Sequence, residues 1–319
     1  MNRILLALLA AASLNFCSAV AYAQAYPSKP IRIIVPNAPA SSADTIVRIM
    51  APEMSKQLGV QLITENKPGA TGIIGYEYVV NQPADGYIVA ATLVAELGIL
   101  PLTVKELRFA PQRDLVPVIG IGTSNMVLAT TATSTMTNLS DLIALAKANP
   151  GKLDYASSSP VIRLTTELFS ANAGISVTYI PYNGGPRFTQ AVMAGEVHFG
   201  FVGERTVAAA IDKFRVLATT GATRSSLFPN APTFSELKIQ SVPGLSYSLN
   251  VRTDTPKAIV EKLYAAASAA LQRPEVRATL VNTMQLDIHN EGPEAAAKRL
   301  TETSHAFAAI ATKIGLRPQ

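Results

Sequence analysis

The sequence predicts an α/β fold in two domains, and three observations carry that expectation. Short apolar runs alternate with helical patterns along the chain, as in parallel sheets covered by helices. The chain has 319 residues, 48% of them hydrophobic, enough to build more than one core. Several apolar runs end in loops of small residues directly before a helix, where α/β folds place their ligands.

The amino-terminal segment comes first. Arg3 supplies a short basic start, Ile4 to Leu14 are mostly apolar, and Ala21-Tyr22-Ala23 is a small-x-small cleavage signal. This reads as a secretory signal peptide over residues 1–23, cut before Gln24. Its apolar run falls short of the ~20 residues a membrane span needs. Cys17 lies inside it, but Phe16 stands where a lipid-anchored protein carries a small residue. Removing the segment leaves about 296 residues with no cysteine, and the formal charge drops from +5 to about +4. Disulfides, thiolate catalysis and cysteine metal sites are thereby excluded from the mature chain. The richest later apolar stretch, Val89 to Leu100, is short and contains Glu96, so no further span is expected. No lysine or arginine run of the kind nucleic-acid binding needs is present.

Ile31–Val35, Gln61–Thr64 and Tyr87–Thr92 read as strands. Between the first two, Ile46, Val47, Ile49, Met50, Met54 and Leu58 recur at helical spacing, with Pro52 expected to kink or shorten the helix. Thr137 to Ala148 is a second helix, capped by Thr137 or Ser140 and stopped by Asn149-Pro150-Gly151. Leu153–Ala156, Ser176–Ile180, Val197–Val202 and Phe214–Thr219 are further strands. Helices follow at Pro256–Leu271, at Pro274–Thr283 and from Pro293 to about Ile314, each with proline in its first turn.

Most catalytic signatures are missing. No phosphate-cradling G-x-x-x-x-G-K-[ST] or G-x-G-x-x-G occurs, and Gly122-Thr123-Ser124-Asn125-Met126 fails as a nucleophile elbow at its last position. His198, His289 and His305 read as surface or satisfied interior residues, and no metal site is expected. What stands out is a set of small-residue or glycine-bearing turns: Pro39–Asp44, Pro68–Gly75, Ser157–Pro160 and Asn183–Pro186. Any one alone reads as an ordinary turn; together, in an exported chain, they point to a binding cleft. In Val35-Pro36-Asn37-Ala38-Pro39-Ala40-Ser41-Ser42 the side chains offer little chemistry. The backbone offers more, because a helix start presents unpaired N–H groups and a partial positive charge to an anion.

Tyr26-Pro27-Ser28-Lys29-Pro30-Ile31-Arg32-Ile33-Ile34-Val35-Pro36 resembles the mature start of the solute receptors of tripartite tricarboxylate transporters. The likeness continues in Glu65 to Gly75, Asp85-Gly86-Tyr87, Ala148 to Ser158, Pro181 to Pro186, Arg215 to Gly221, Ala231-Pro232-Thr233 and Thr255 to Leu263. It covers essentially the whole mature chain, in order. The resemblance implies a monomeric periplasmic receptor with a two-domain, Venus-flytrap fold, type II-like, and a ligand cleft between the domains. Such a receptor hands an organic carboxylate to membrane permease subunits, is not an enzyme and uses no cofactor. One domain is expected over residues 24–125 plus 245–319, the other over 126–244.

The resemblance also assigns the site. One ligand carboxylate is expected at backbone amides of Ala40, Ser41, Ser42 and Asp44 and of Ala70, Thr71 and Gly72. The second domain closes on the far end with Ser157, Ser158, Ser159, Arg163, Tyr182, Asn183, Gly184 and Gly203. For Asp44 the residue chemistry favours a structural role in the first turn of the helix, accepting N–H bonds, over contact with a ligand ammonium or hydroxyl.

Two departures matter. Ala40-Ser41-Ser42 replaces consecutive glycines, so either the loop is shaped differently or the serine hydroxyls donate. Ser159-Pro160-Val161-Ile162-Arg163-Leu164 replaces a glycine-rich turn and His-Leu pair, about two residues shorter, with Arg163 where the histidine falls. Arginine pairs with carboxylates in a planar, bidentate way, which suggests a dicarboxylate with an aliphatic or aromatic spacer. The alternative is an arginine on a solvated helix face; Arg187 and Arg205 are rivals for the same role. Competing functions are a ligand-sensing module for a membrane signalling partner and an exported hydrolase.

Overall fold

The computed structural model describes residues 26–318 except Ser158, Asn183, Gly184, Ala222 and residues 240–242. The expected signal peptide lies outside the described residues. Strand β1 (Ile31–Val35) is apolar on both sides: Ile31, Ile33 and Val35 enter one core and Ile34 another. A strand covered on both faces is the mark of a central position in an α/β sheet. Helix α1 (Ser42–Leu58) lays Ile46, Val47, Met50 and Met54 on that sheet. Pro52 neither ends nor shortens it. The proline is exposed, so water can serve the Arg48 carbonyl that loses its N–H partner.

Next come β2 (Leu62–Asn66), a short 3-10 turn at Ala70–Gly72, α2 (Ile73–Val80), β3 (Ile88–Leu93), α3 (Val94–Thr103), α4 (Pro111–Asp114) and β4 (Leu115–Ser124). The chain crosses at Asn125 into β5 (Met126–Thr131), α5 (Leu139–Ala148), β6 (Asp154–Ser157), α6 (Pro160–Ala173), β7 (Thr178–Pro181), α7 (Gly185–Ala194), β8 (Gly200–Gly203), α8 (Glu204–Ala208) and β9 (Phe214–Thr219). It returns through β10 (Leu245–Arg252), α9 (Lys257–Gln272), α10 (Pro274–Met284), β11 (Leu286–Glu291) and α11 (Pro293–Lys313). Asn138, rather than Thr137 or Ser140, caps α5, because its side chain and that of Asp141 exchange bonds with each other's amides.

The first sheet has six strands in the order β11-β4-β10-β3-β1-β2. β1 pairs in parallel with β2 and β3, while β10 runs antiparallel to β3 and β4, and β11 antiparallel to β4. The parallel sheets expected from strand–helix alternation are therefore mixed. The reason is the return of the chain: β10 comes back from the second sheet and enters between β3 and β4 against their direction. In the second part, β5 lies antiparallel between β8 and β9, β6 pairs in parallel with β7, and a bridge from Tyr155 to Phe199 joins the two groups.

Each part has its own core. In the second, the fully buried Phe169 ring lies 6.4, 6.1 and 5.5 Å from the rings of Phe199, Phe201 and Phe234. A smaller apolar cluster spans the two parts: Val161 and Leu164 of α6 pack against Ala95 and Ile99 of α3 and Phe307 and Ile310 of α11. The parallel strands β1, β2 and β3 all point their carboxyl ends at one edge, so three helix or turn starts gather there.

Candidate ligand-binding site

The loop after β1 is held from below by one carboxylate. Asp44 is buried and accepts the Ala40 N–H (2.9 Å), Arg48 Nε (3.0 Å) and Asn66 Nδ2 (3.0 Å). Asn66 Nδ2 also donates to the Asn37 carbonyl (3.1 Å), and Arg48 reaches the Asn66 side-chain oxygen (3.1 Å). Burial pushes the Asp44 carboxyl up, but the bonds from Arg48, the Ala40 amide and Asn66 together hold it below the ordinary aspartate range. The Ser41 hydroxyl accepts the Asp44 N–H (3.4 Å) and caps α1. Asp44 is thus fully engaged by its own chain.

That network explains how the loop dispenses with glycine. Ser41 N–H bonds to the Ala38 carbonyl (3.1 Å), with Pro39 second and Ala40 third in the turn, and Ala40 takes φ +62°. These are marks of a type II turn, whose third position normally wants glycine. The Asp44 carboxylate pins the Ala40 amide and keeps alanine in the strained region. Ala40→Gly is expected to raise stability by about 0.5–1 kcal/mol, read as a melting temperature higher by about 1–2 °C. An unchanged or lower value would mean that the turn carries no strain.

With the Ser41 side chain occupying the Asp44 amide, the first-turn N–H groups of Ser42 and Ala43 have no intrahelical partner. The Ser42 hydroxyl faces the buried phenol of Tyr247. In the second loop, Ala70 (φ +47°) and Thr71 (φ +55°) are both in the left-handed region and both exposed. A β-branched residue there is a strained exception of the kind that clusters at binding sites. Gly75 fixes this loop against β1: a Cβ at that position would lie 2.8 Å from Pro36 Cα and 2.9 Å from the Lys67 carbonyl oxygen.

From the other side, Ser159 caps α6 by accepting the Ile162 N–H (3.3 Å), and Pro160 occupies the first turn. Ser157 is fully buried; its hydroxyl donates to the Ser159 carbonyl (2.8 Å) and its own carbonyl accepts the Tyr182 N–H (2.9 Å). Ser157 therefore shapes the turn from inside. Ser158, Asn183 and Gly184 lie outside the described residues. Gly203 is exposed at the start of α8. Arg187 is paired with Glu196 (3.0 Å), and Arg205 donates to the Asn282 carbonyl at the end of α10. Arg163 has no carboxylate partner among the described residues: its guanidinium lies 4.6 Å from the Tyr179 ring centroid, and its buried Nε is unbonded.

A pocket of about 370 Å³ brings the two sides together. Thr71 contributes from the first part and Ser159, Arg163 and Tyr182 from the second, whereas Ala40, Ser41, Ser42, Asp44, Ala70, Gly72, Ser157 and Gly203 do not line it. Tyr179, Thr103 and Arg317 also line it, and sequence reasoning had not singled them out. Two arginines and no acidic residue border this space. Among the described residues, no three His, Cys, Asp or Glu side chains gather as metal ligands, and no helix is long and apolar enough to cross a membrane.

Residues 46–316 match the model of the tripartite tricarboxylate transporter family receptor. The chain belongs to that family. The family consists of periplasmic solute receptors that work with tripartite transporters, a non-enzymatic class. A protein of Cupriavidus necator, described only by its position in the gbd 5' region, is 33% identical over 313 residues, covering 96% of this chain and 94% of that one. Among solved structures, R. palustris Rpa4515 with adipate has a TM-score of 0.77 at 24% identity, covering 92% of this chain and 100% of that one. MatC from Rhodopseudomonas palustris with bound malate has a TM-score of 0.74 at 22% identity, covering 90% and 100%. The two-domain binding-protein fold of this family receptor is the one these neighbours share.

Proposed function

We infer that this receptor captures a small organic dicarboxylate and delivers it to the permease of a tripartite transporter, after export with removal of residues 1–23. The observation that carries the reading is the pocket between the two parts, bordered by Arg163 and Arg317 and by no acid. One carboxylate would be held at the first-turn amides of α1 and the Ala70–Gly72 turn, through charge-assisted bonds strengthened by the helix start. The second would meet Arg163, pre-oriented by stacking on Tyr179. The neighbours that hold adipate and malate, both dicarboxylates, support this ligand class. The working division is residues 24–125 plus 245–319 against 126–244, monomeric, with the crossings at Asn125 and just before Leu245.

A thermal-shift screen of mono-, di- and tricarboxylates tests the proposal. A dicarboxylate at a hundredfold its dissociation constant should stabilise the protein by about 2.7 kcal/mol, a rise of roughly 5 °C. The bound acid should be recovered unchanged. A protein that responds only to neutral or cationic solutes would overturn the assignment.

A further inference from the structure

Beneath the loop that follows β1 sits a carboxyl group with no obvious reason to be charged. Glu96, in the first turn of α3, is 8% exposed. Its Oε2 accepts the Tyr76 hydroxyl (2.9 Å) and its Oε1 accepts Asn37 Nδ2 (3.1 Å). No cation reaches it among the described residues. From α2 it meets Tyr76, and from β10 Tyr247. On the other elements packed against α3, Arg113 and Asp114 of α4 pair with each other, and Arg299 of α11 is held by Glu291. His305 of α11 borders a separate pocket beside Gly98 and Pro101. On α6, Arg163 is stacked on Tyr179 and Glu167 accepts the Tyr155 hydroxyl.

The placement of this group ties it to the site. Asn37 belongs to the loop whose far end opens α1, and Tyr247 faces both Ser42 in the first turn of α1 and the charge of Glu96. A carboxylate ligand at those amides would put a second negative charge on the other side of the loop from the buried Glu96. Two like charges so placed disfavour each other's ionised form. We propose that Glu96 is a proton site coupled to the acid site: the receptor takes up one proton from solvent at Glu96 as it captures its carboxylate. Burial already pushes the Glu96 carboxyl above the ordinary glutamate range, against the opposing bonds from Tyr76 and Asn37. The inference rests on the carboxylate reading above and adds a cost of capture at high pH. Affinity is greatest at low pH and weakens by up to tenfold per pH unit between the free and the higher ligand-bound values.

Calorimetric titration with adipate, malate and citrate, in phosphate and in Tris at matched pH, tests this above the ligands' own titration. Because the two buffers release protons with different enthalpies, uptake appears as a buffer-dependent heat. Wild type should take up a fraction of a proton that rises toward one, and Glu96→Gln should bind the same acid with a pH-independent affinity and no buffer dependence. The heats of wild type decide the matter even if the variant fails to fold. Acid binding with identical heats in both buffers throughout the range from about pH 6 to 9 overturns the proton site and leaves the carboxylate reading intact. Retention of the uptake by Glu96→Gln does the same. Failure of every acid to bind overturns the carboxylate reading, and the proton site with it.

Discussion

Asp44→Ala should cost about 3 kcal/mol of stability, a melting temperature lower by roughly 6 °C, and should weaken acid binding at least tenfold. Asp44 is buried and takes bonds from a backbone amide, a guanidinium and a side-chain amide. Losing the carboxylate removes the partner of the Ala40 N–H and of Arg48 Nε and one of the two acceptors of Asn66 Nδ2, and leaves the Ser41 N–H bond to the Ala38 carbonyl to hold Ala40 at φ +62° alone. Binding is expected to suffer because that turn presents the amides of Ser42 and Ala43, the proposed carboxylate donors. The pH dependence has a definite sign. A carboxyl held below its ordinary value contributes stability above that value and loses it as pH falls through the folded one. The gap between wild type and variant should therefore be full at neutral pH and close on acidification below about pH 4. Asp44→Asn, which keeps an acceptor but not the charge, should fall between them. Melting curves and titrations with an acid found in the screen check all three. A variant that melts and binds like wild type would sink the idea that one carboxylate shapes the loop.

Arg163→Ala should weaken a dicarboxylate by about thirtyfold, roughly 2 kcal/mol, and leave a matched monocarboxylate within about twofold. The selectivity is expected because, in the proposed pose, only the second carboxylate meets the guanidinium. Arg163→Lys should recover little, since ammonium lacks the planar fork and the stacking geometry over Tyr179. Equal losses for both ligand classes, or none, would return Arg163 to a purely structural role. Arg187 and Arg205 serve as controls, because Glu196 and the Asn282 carbonyl already engage them.

Much of the molecule was legible where periodicity and punctuation agree. β1, α1, α9 and α11 follow from apolar spacing and from prolines and small residues at their ends. Sheet direction was not legible, because the antiparallel entry of β10 depends on where the chain returns after an excursion of more than a hundred residues. Pro52 misled for a tertiary reason: the helix is held on both sides of the proline by Ile46, Val47, Met50 and Met54 in the core, and that packing outweighs the lost bond. Of the small-residue turns read from the sequence, those at Thr71 and at Ser159-Pro160 reach the candidate pocket and Ala40–Asp44 does not, while Arg163, which departs from the family pattern, lines it. Tyr179, Thr103 and Arg317 carried no signal, since a strand, a helix end and the chain terminus bring them together only in the folded state. Glycine-poor Ala40-Ser41-Ser42 suggested two outcomes, an altered loop or donating hydroxyls. In the structure Ala40 takes a positive φ, and the Ser41 hydroxyl accepts the Asp44 N–H.

The packing of α6 has a consequence for how such a receptor changes its diet. Val161 and Leu164 are wedged against α3 and α11, while Ser159 and Arg163 on the same turns look into the pocket. One helix thus serves both anchorage and pocket wall, with Leu164 taking part in each. On the proposed reading, substitutions at 163 or the facing 179 should retune chain length or polarity of the preferred acid without touching the apolar cluster that the two lobes share, whereas a change at 159 would also remove the cap of α6.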